Sequence, residues 1–382
     1  MTVKNIVARE LRVMFRKEPL LAIIILAIAS IYTMFMGELY KENIVNYVPL
    51  VIYDQDQTEV SRALIQAFAD SEKYQVVAQV LSQEAMESLM REKKAYAALS
   101  IPPDFSKNIK KGIGSEILLE LNAANIVFAN TIISSAQEIG GAFSGKIGMD
   151  LVESFGQMPS QAIRNAIPIQ SRIRVVNNPT LNYSSFFILG VLFTAFQSCV
   201  LMAAGMAMMN EYENLAELKE VAPVKVVFSK VLTYWICGLI SFFSGVIVAV
   251  EIYQVPFRGS MGSLFLLGGL FIFAIASMAS LFAAFCRDKV TLVQIAVAYA
   301  VPAFMFSGYT WPQHAMNLFG KIISYTLPLT YTADNLRDLA LGGYAPNLPA
   351  SLLILLLFGL VMFGLSVMVY ARRRKQSVQG VT

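Results

Sequence analysis

"NEYENLAELKEVAP", residues 210–223, carries four glutamates and one lysine. Alone it reads as a polar, helix-prone stretch of a soluble surface. Yet Ser184–Met209 precedes it and Val231–Val250 follows it, and neither run contains a charged residue. Crossing a hydrocarbon core takes about 20 apolar residues at about 1.5 Å each. The polar segment is therefore a connection between two membrane spans. Four further runs have comparable length: Leu20–Leu39, Met261–Cys286, Val290–Gly308 and Ala350–Ala371. The 382 residues are 56% hydrophobic and 15% charged, against roughly 45–50% and about 25% in soluble chains, and the excess sits in these runs. The pattern predicts a polytopic α-helical membrane protein with six transmembrane helices.

Lysines and arginines near span ends set the orientation. Lys4, Arg9, Arg12, Arg16 and Lys17 precede the first run, Arg287 and Lys289 lie between the fourth and fifth, and Arg372, Arg373, Arg374 and Lys375 follow the last. Both termini are expected in the cytoplasm, which an even number of spans satisfies, and residues 210–225 fall on the same side. The first run is longer than a signal-peptide core and lacks a small-x-small cleavage site, so residues 19–39 are read as a retained span. Residues 1–18 wind into an amphipathic helix with Val3, Val7, Leu11, Met14 and Phe15 on one side and Asn5, Arg9, Arg12 and Arg16 on the other. Such a helix lies in the membrane interface. A frayed terminus carrying topology charges is the simpler alternative. Residues 372–382 form a basic cytoplasmic tail.

Residues 40–183 separate the first two spans and are domain-sized. Strand-like runs at 48–54, 74–81, 95–102 and 116–123 alternate with helical patterns at 58–71 and 82–94, which predicts an α/β extracytoplasmic domain. Residues 125–155 read as helix, and Arg172–Asn177 as a returning strand. GGAFSGK (140–146) imitates a phosphate-binding loop, but Ile147 replaces the magnesium-binding hydroxyl and no strand leads into it. DQDQTE (54–59) opens like a calcium loop, but Glu59 and Ile65 stand where glycine and the closing glutamate are needed. Asp56 and Thr58 are better read as a strand end and a helix cap.

Enzyme chemistry is poorly supplied. The chain has one histidine, His314, and three cysteines, so His-based metal sites and catalytic triads lack parts. Cys199, Cys237 and Cys286 all fall in or beside predicted spans and read as small packing residues. No nucleic-acid partner, metal or cofactor is expected in this chain.

Glu217 and Pro223 form the Glu-x-x-x-x-x-Pro pattern that ends the acidic segment. After the fifth span come Ser307-Gly308, Pro312, Pro328-Leu329-Thr330-Tyr331 and Leu336-Arg337. With the plan of basic helix, one span, large external domain, five spans and basic tail, this resembles the type-2 (ABC-2) exporter permeases, in the branch with a large extracytoplasmic domain. The chain departs from that pattern at Asn214-Leu215, where the family has Gly-Thr, and in its short Pro223–Lys230 stretch.

The resemblance implies a transport subunit energised by a separate ATPase present in two copies, which supplies the ATP and magnesium chemistry. It also implies a second permease chain, identical or homologous, and a bacterial inner-membrane location. Membrane lipid and a periplasmic adaptor are further candidate partners. Residues 184–371 become a five-helix transmembrane region, with 210–225 as the segment coupling to the ATPase through Glu211, Glu213, Asn214, Leu215, Glu217 and Pro223. The side chains of Glu213 and Glu217 fit one i, i+4 helical face; an ordinary polar connector is the alternative. Residues 309–339 are too apolar for a free loop and are expected as a re-entrant helical pair lining the pathway through Ser307, Gly308, Pro312, Pro328 and Tyr331. A helix lying on the outer leaflet, anchored by Trp311, Tyr325 and Tyr331, would serve the same composition. Uncharged spans favour an amphipathic, lipid-like or drug-like cargo. A secondary transporter would want ionisable residues inside spans and repeated halves, and a membrane sensor with a ligand-binding external domain remains the non-transporting alternative.

Overall fold

The computed structural model describes residues 1–40, 45–111, 114–124, 126–154, 177–178, 183–215, 217–218 and 220–379. The chain divides into two compact units, one built from Met1–Asn43 with Val175–Thr382 and the other from Ile44–Arg174. The described residues of the first are mainly helical, joined by turns and short irregular segments. A short helix α1 (Val3–Arg12) leads through a π-helical turn to α2 (Pro19–Leu39). After the second unit come α7 (Tyr183–Glu213), α8 (Pro223–Ile252), α9 (Met261–Ala283), α10 (Lys289–Phe306), α11 (Leu318–Tyr325), α12 (Pro328–Arg337) and α13 (Leu348–Gln379). Six of these, α2, α7, α8, α9, α10 and α13, are long and apolar enough to cross a membrane.

Their exposed faces carry the same message. Val290, Val297, Val301 and Met305 on α10, and Leu353, Leu357, Leu360, Val361 and Met368 on α13, are exposed. An apolar surface of that kind is at home in hydrocarbon, where helices satisfy their backbone groups internally. The middle of the unit is formed by α7 and α9, packed on each other and on α8 through Phe193, Phe196, Phe242 and Phe271. The Phe193 and Phe242 rings meet edge to face at 5.2 Å, a geometry worth about 0.5–1.5 kcal/mol beyond burial. Glycine sets one approach: a Cβ on Gly190 would lie 2.2 Å from the Tyr309 ring.

The second unit is a four-stranded sheet in the order β2-β1-β3-β4. Strands β1 (Val48–Asp54), β2 (Tyr74–Val80) and β3 (Ala97–Ile101) run parallel, and β4 (Leu118–Leu121) is antiparallel to β3. Helices α3 (Glu59–Ala69), α4 (Gln83–Arg91), α5 (Phe105–Lys110) and α6 (Ile126–Ser154) complete it. Period-two alternation assigns the faces. Val48, Leu50 and Ile52 of β1 meet Leu64, Ile65 and Phe68 of α3 and Ile132 of α6. Val51 points the other way, into a smaller cluster with Met86 of α4 and Ala98 of β3. Central β1 is therefore buried on both faces, which explains its continuous apolar run. Thr58 caps α3 in a capping box with Ser61. GGAFSGK lies inside α6, where no phosphate loop can form. The strand expected at 172–177 lies outside the described residues except for Asn177.

Tyr74 joins β2 to α6. Its hydroxyl donates to the Ile132 carbonyl at 2.7 Å and is 2.8 Å from the Ser135 hydroxyl. Burial raises the Tyr74 pKa above the ordinary tyrosine range, and the Ser135 contact only partly offsets this. The folded state thus holds the phenolic proton more tightly than the unfolded chain. The resulting stability is complete below about pH 10 and is lost as pH rises beyond it. Tyr74→Phe should lower the stability of this unit by about 1 kcal/mol. It should also flatten the alkaline limb, as read from exchange of the β1–β3 amides in the full chain under urea. A variant with parental stability and an unchanged alkaline limb would contradict this role.

Candidate functional site

Glu10 is a buried acid, 2% exposed, on helix α1. Spacing of four puts Ile6 and Glu10 on one face of α1, with Met14 following in the next turn, and all three are buried. The inward stripe thus includes an acid, whereas Phe15, expected on the apolar side, is exposed. Glu10 meets Lys230 of α8, with Nζ 2.6 Å from Glu10 Oε2, 3.1 Å from Glu211 Oε2 and 3.0 Å from the Ala207 carbonyl. The Tyr234 hydroxyl donates to the other Glu10 oxygen at 3.4 Å. Arg9, expected among the outward basic residues, bridges Glu211 at 2.5 Å and Glu217 at 2.8 Å instead. Arg12 and Arg16 remain exposed.

Burial decides what this group is worth. The Lys230, Glu10 and Glu211 side chains are 3%, 2% and 3% exposed. Desolvating such charges costs several kcal/mol per ion, recovered only by close pairing and hydrogen bonds, and stripping one partner costs about 3–5 kcal/mol. The group therefore clamps three segments together: α1, the end of α7 and the start of α8.

Neighbouring contacts extend the clamp. Glu18, just before α2, accepts from Lys289 Nζ at 3.1 Å and from Asn210 Nδ2 at 2.9 Å. The Asp288 carboxylate accepts the Thr291 N–H at 2.7 Å, capping α10, and this bond holds its pKa below the ordinary range. From α13, Arg373 donates to the Ala284 carbonyl and lies 5.1 Å from the Tyr212 ring centroid, a cation–π contact. Arg374 donates to the Val221 carbonyl at 2.5 Å. Helices α1 and α13 and the ends of α2, α7, α8, α9 and α10 thus gather around the polar segment.

That segment differs from expectation in one respect. Its described residues form no helix of their own: α7 ends at Glu213, α8 begins with Pro223 at its first turn, and the described residues between are turns and a bend. The i, i+4 face of Glu213 and Glu217 therefore does not form. Tertiary contacts override the local propensity. Leu218 and Val221 turn into the core, Arg9 draws Glu217 back toward α1, and Arg374 takes the Val221 carbonyl. Glu211 faces inward, Leu215 packs on the core, and Glu213, Asn214, Glu217 and Glu220 form an exposed edge.

The stretch after α10 bonds mainly to itself. The Ser307 hydroxyl donates to the Phe304 carbonyl at 2.7 Å, and Gly308 adopts φ +90°. Buried Tyr309 stacks on Phe186 at 5.2 Å and donates to its carbonyl, and Arg337 lies 5.5 Å from the Tyr309 centroid. Pro312 is exposed before a 3-10 turn, Pro328 is buried at the start of α12, and the Tyr331 hydroxyl donates to the Tyr325 carbonyl at 2.8 Å. Two short helices, α11 and α12, result. Sequence reading missed Glu10 and gave Lys230 no role beyond ending the short Pro223–Lys230 stretch; an acid on the inward stripe of α1 and a lysine next to an apolar run were the available signals.

Residues 19–368 match the model of a family described as "ABC-2 family transporter protein". The chain belongs to the ABC-2 transporter family. It is 29% identical over 140 residues to "Probable multidrug ABC transporter permease YbhS" of Escherichia coli, an alignment spanning 36% of each chain. It is 23% identical over 340 residues to "Inner membrane transport permease YhhJ" of E. coli, spanning 86% of this chain and 85% of that one. With "Probable multidrug ABC transporter permease YbhR" of E. coli the identity is 22% over 346 residues, spanning 88% and 89%. The ABC-2 match begins at residue 19, so Arg9, Glu10 and Glu18 bring the clamp contacts from outside the matched stretch.

Replacing Lys230 by Met should leave two buried carboxylates facing each other with Arg9 as their sole cation. Thermal unfolding of the purified protein should then shift down by the equivalent of about 3–5 kcal/mol. Adding Glu10→Gln and Glu211→Gln should recover much of the loss, because a neutral set no longer has uncompensated charge. A single variant as stable as the parent, or a triple variant no better than the single, would refute the buried-charge account.

Proposed function

We propose that this chain is the membrane subunit of an ATP-driven ABC-2 exporter, energised by a separate ATPase that binds ATP and magnesium. The reading rests first on family membership. What carries it is the polar turn: an exposed acidic edge, Glu213, Glu217 and Glu220, mounted on helices that the buried charges hold together. A soluble ATPase with a basic groove can grip such an edge, and its closure then moves α1, α7 and α8 as a rigid body. Coupling is thus assigned to the exposed residues of 210–225, whereas Glu211 and Lys230 stiffen the mount.

In this proposal six helices span a bacterial inner membrane, both termini are cytoplasmic, and the α/β unit lies outside. Two ATPase copies serve two permease chains, identical or homologous, a reading that rests on family membership alone, because the small residues of α7, Ala203 and Ala204, are buried within the chain's own core. The α11–α12 pair lines the outer end of the pathway. The cargo is an amphipathic, lipid-like or drug-like molecule, a reading supported by the uncharged spans and by the "multidrug" in two relatives' names. Membrane lipid and a periplasmic adaptor complete the proposed partners.

Reversing the acidic edge tests the coupling. Close charge pairs across an interface are worth about 1.5–7 kcal/mol, so Glu213→Lys with Glu220→Lys should weaken ATPase binding at least about tenfold. Cargo-stimulated ATP hydrolysis should fall with it, while membrane insertion persists. Glu59→Lys with Glu72→Lys in the α/β unit should leave both readouts near parental values. If the 213/220 variant binds and stimulates the ATPase like the parent, the turn is a plain connector and the coupling assignment fails.

A further inference from the structure

The α/β unit holds a crevice that the transport reading does not use. The chain leaves β1 through α3 to β2 on one flank, then returns to β3 on the other, so the strand order reverses between β1 and β3. In open sheets with parallel strands, ligands settle outside the carboxyl ends of the strands at such a reversal. The structure has an open cavity there of about 710 Å³, between the turn after β1 and the segment after β3. That volume lies within the range of small-ligand sites, roughly 300–1,000 Å³.

Its lining chemistry is asymmetric. Asp56 Oδ2 is occupied by the Thr58 hydroxyl at 2.5 Å and the Ser106 N–H at 3.1 Å, and Asp104 pairs with Lys107 at 3.1 Å. Lys110 and Lys111, on the same wall, are exposed and form no ion pair among the described residues. Gln55, also exposed, adds a neutral amide on the opposite side. The lining holds three ammonium groups and two carboxylates, a net charge of +1, and its two unpaired lysines can meet the charge of about −1.5 to −2 on a phosphate monoester at pH 7, while the amide suits a hydroxyl on the ester's remaining part.

We propose that this crevice binds a phosphate monoester carried on a small polar group, with Lys110 and Lys111 as its charge partners. The site belongs to the α/β unit alone and does not depend on the coupling assignment. The ester can be a free solute or a lipid headgroup, since both present the same oxygens.

Hydrogen exchange of the full chain, read by mass spectrometry, tests this with sn-glycerol 3-phosphate against glycerol at matched ionic strength. Saturable protection should appear at residues 55–58 and 102–111 with the phosphate and not with glycerol. In Lys110→Glu with Lys111→Glu the half-saturating concentration should rise at least about tenfold, equivalent to about 1.4 kcal/mol, with β1–β3 amides as protected as in the parent. The same protection in phosphatidic acid nanodiscs, absent in phosphatidylcholine nanodiscs, would assign the ester to the bilayer; protection by the soluble ester alone would assign it to a free solute. No protection by either source, or protection unaltered by the charge reversals, would overturn the proposal.

Discussion

A lysine ammonium buried between two carboxylates organises one end of the helical unit. Lys230 is only 3% exposed, so its charge is compensated chiefly by Glu10 and Glu211 at contact distance. Each partner comes from a different segment, which turns an electrostatic requirement into a geometric one: α1, α7 and α8 cannot separate without exposing a buried charge to an apolar core. Buried ion sets seldom add net stability over well-packed apolar residues, but removing one member is expensive. Their contribution is to penalise alternative arrangements, and that suits helices required to move together.

The rest of this end follows from that constraint. With α1 held against the bundle, Arg9 reaches both Glu211 and Glu217, and the polar turn folds back instead of continuing α7. Arg373 and Arg374 then close over it from α13. The opposite end, around Tyr309, Phe186 and Arg337, depends on aromatic stacking and on Gly190, with one ion pair, Arg337–Asp334, at its rim. One end is thus built of buried charge and the other of stacked rings, a difference expected if one receives a protein partner and the other lines a path for an amphipathic molecule.

Much of this architecture was legible in the sequence, because hydrophobic run length and period are local properties. The six apolar helices match their runs to within a few residues except at α7 and α8, which extend into the polar segment, and at α13, which continues through the basic residues to Gln379. The strands of the α/β unit were readable from alternation and from the doubly buried β1, and Thr58 from its position before an amphipathic helix. Helix α5 escaped notice because FSKNIK is too short to show a period. The clamp was hidden for another reason. Glu10 and Lys230 lie 220 positions apart, and no local pattern announces that two charges will neutralise each other. For the same reason a helix-prone acidic segment looked like a helix: the residues that bend it, Arg9 and Arg374, stand at opposite ends of the chain.

The central claim is that the charge clamp makes α1 and the α7–α8 turn one rigid block. Double electron–electron resonance tests it most directly, with spin labels at Arg12→Cys and Glu213→Cys, both exposed positions. The native cysteines would be replaced and the labelled chains diluted with unlabelled ones. The account predicts a single narrow distance distribution that broadens when Lys230→Met is added. A broad distribution in the parent, or one that stays equally narrow without Lys230, would contradict it.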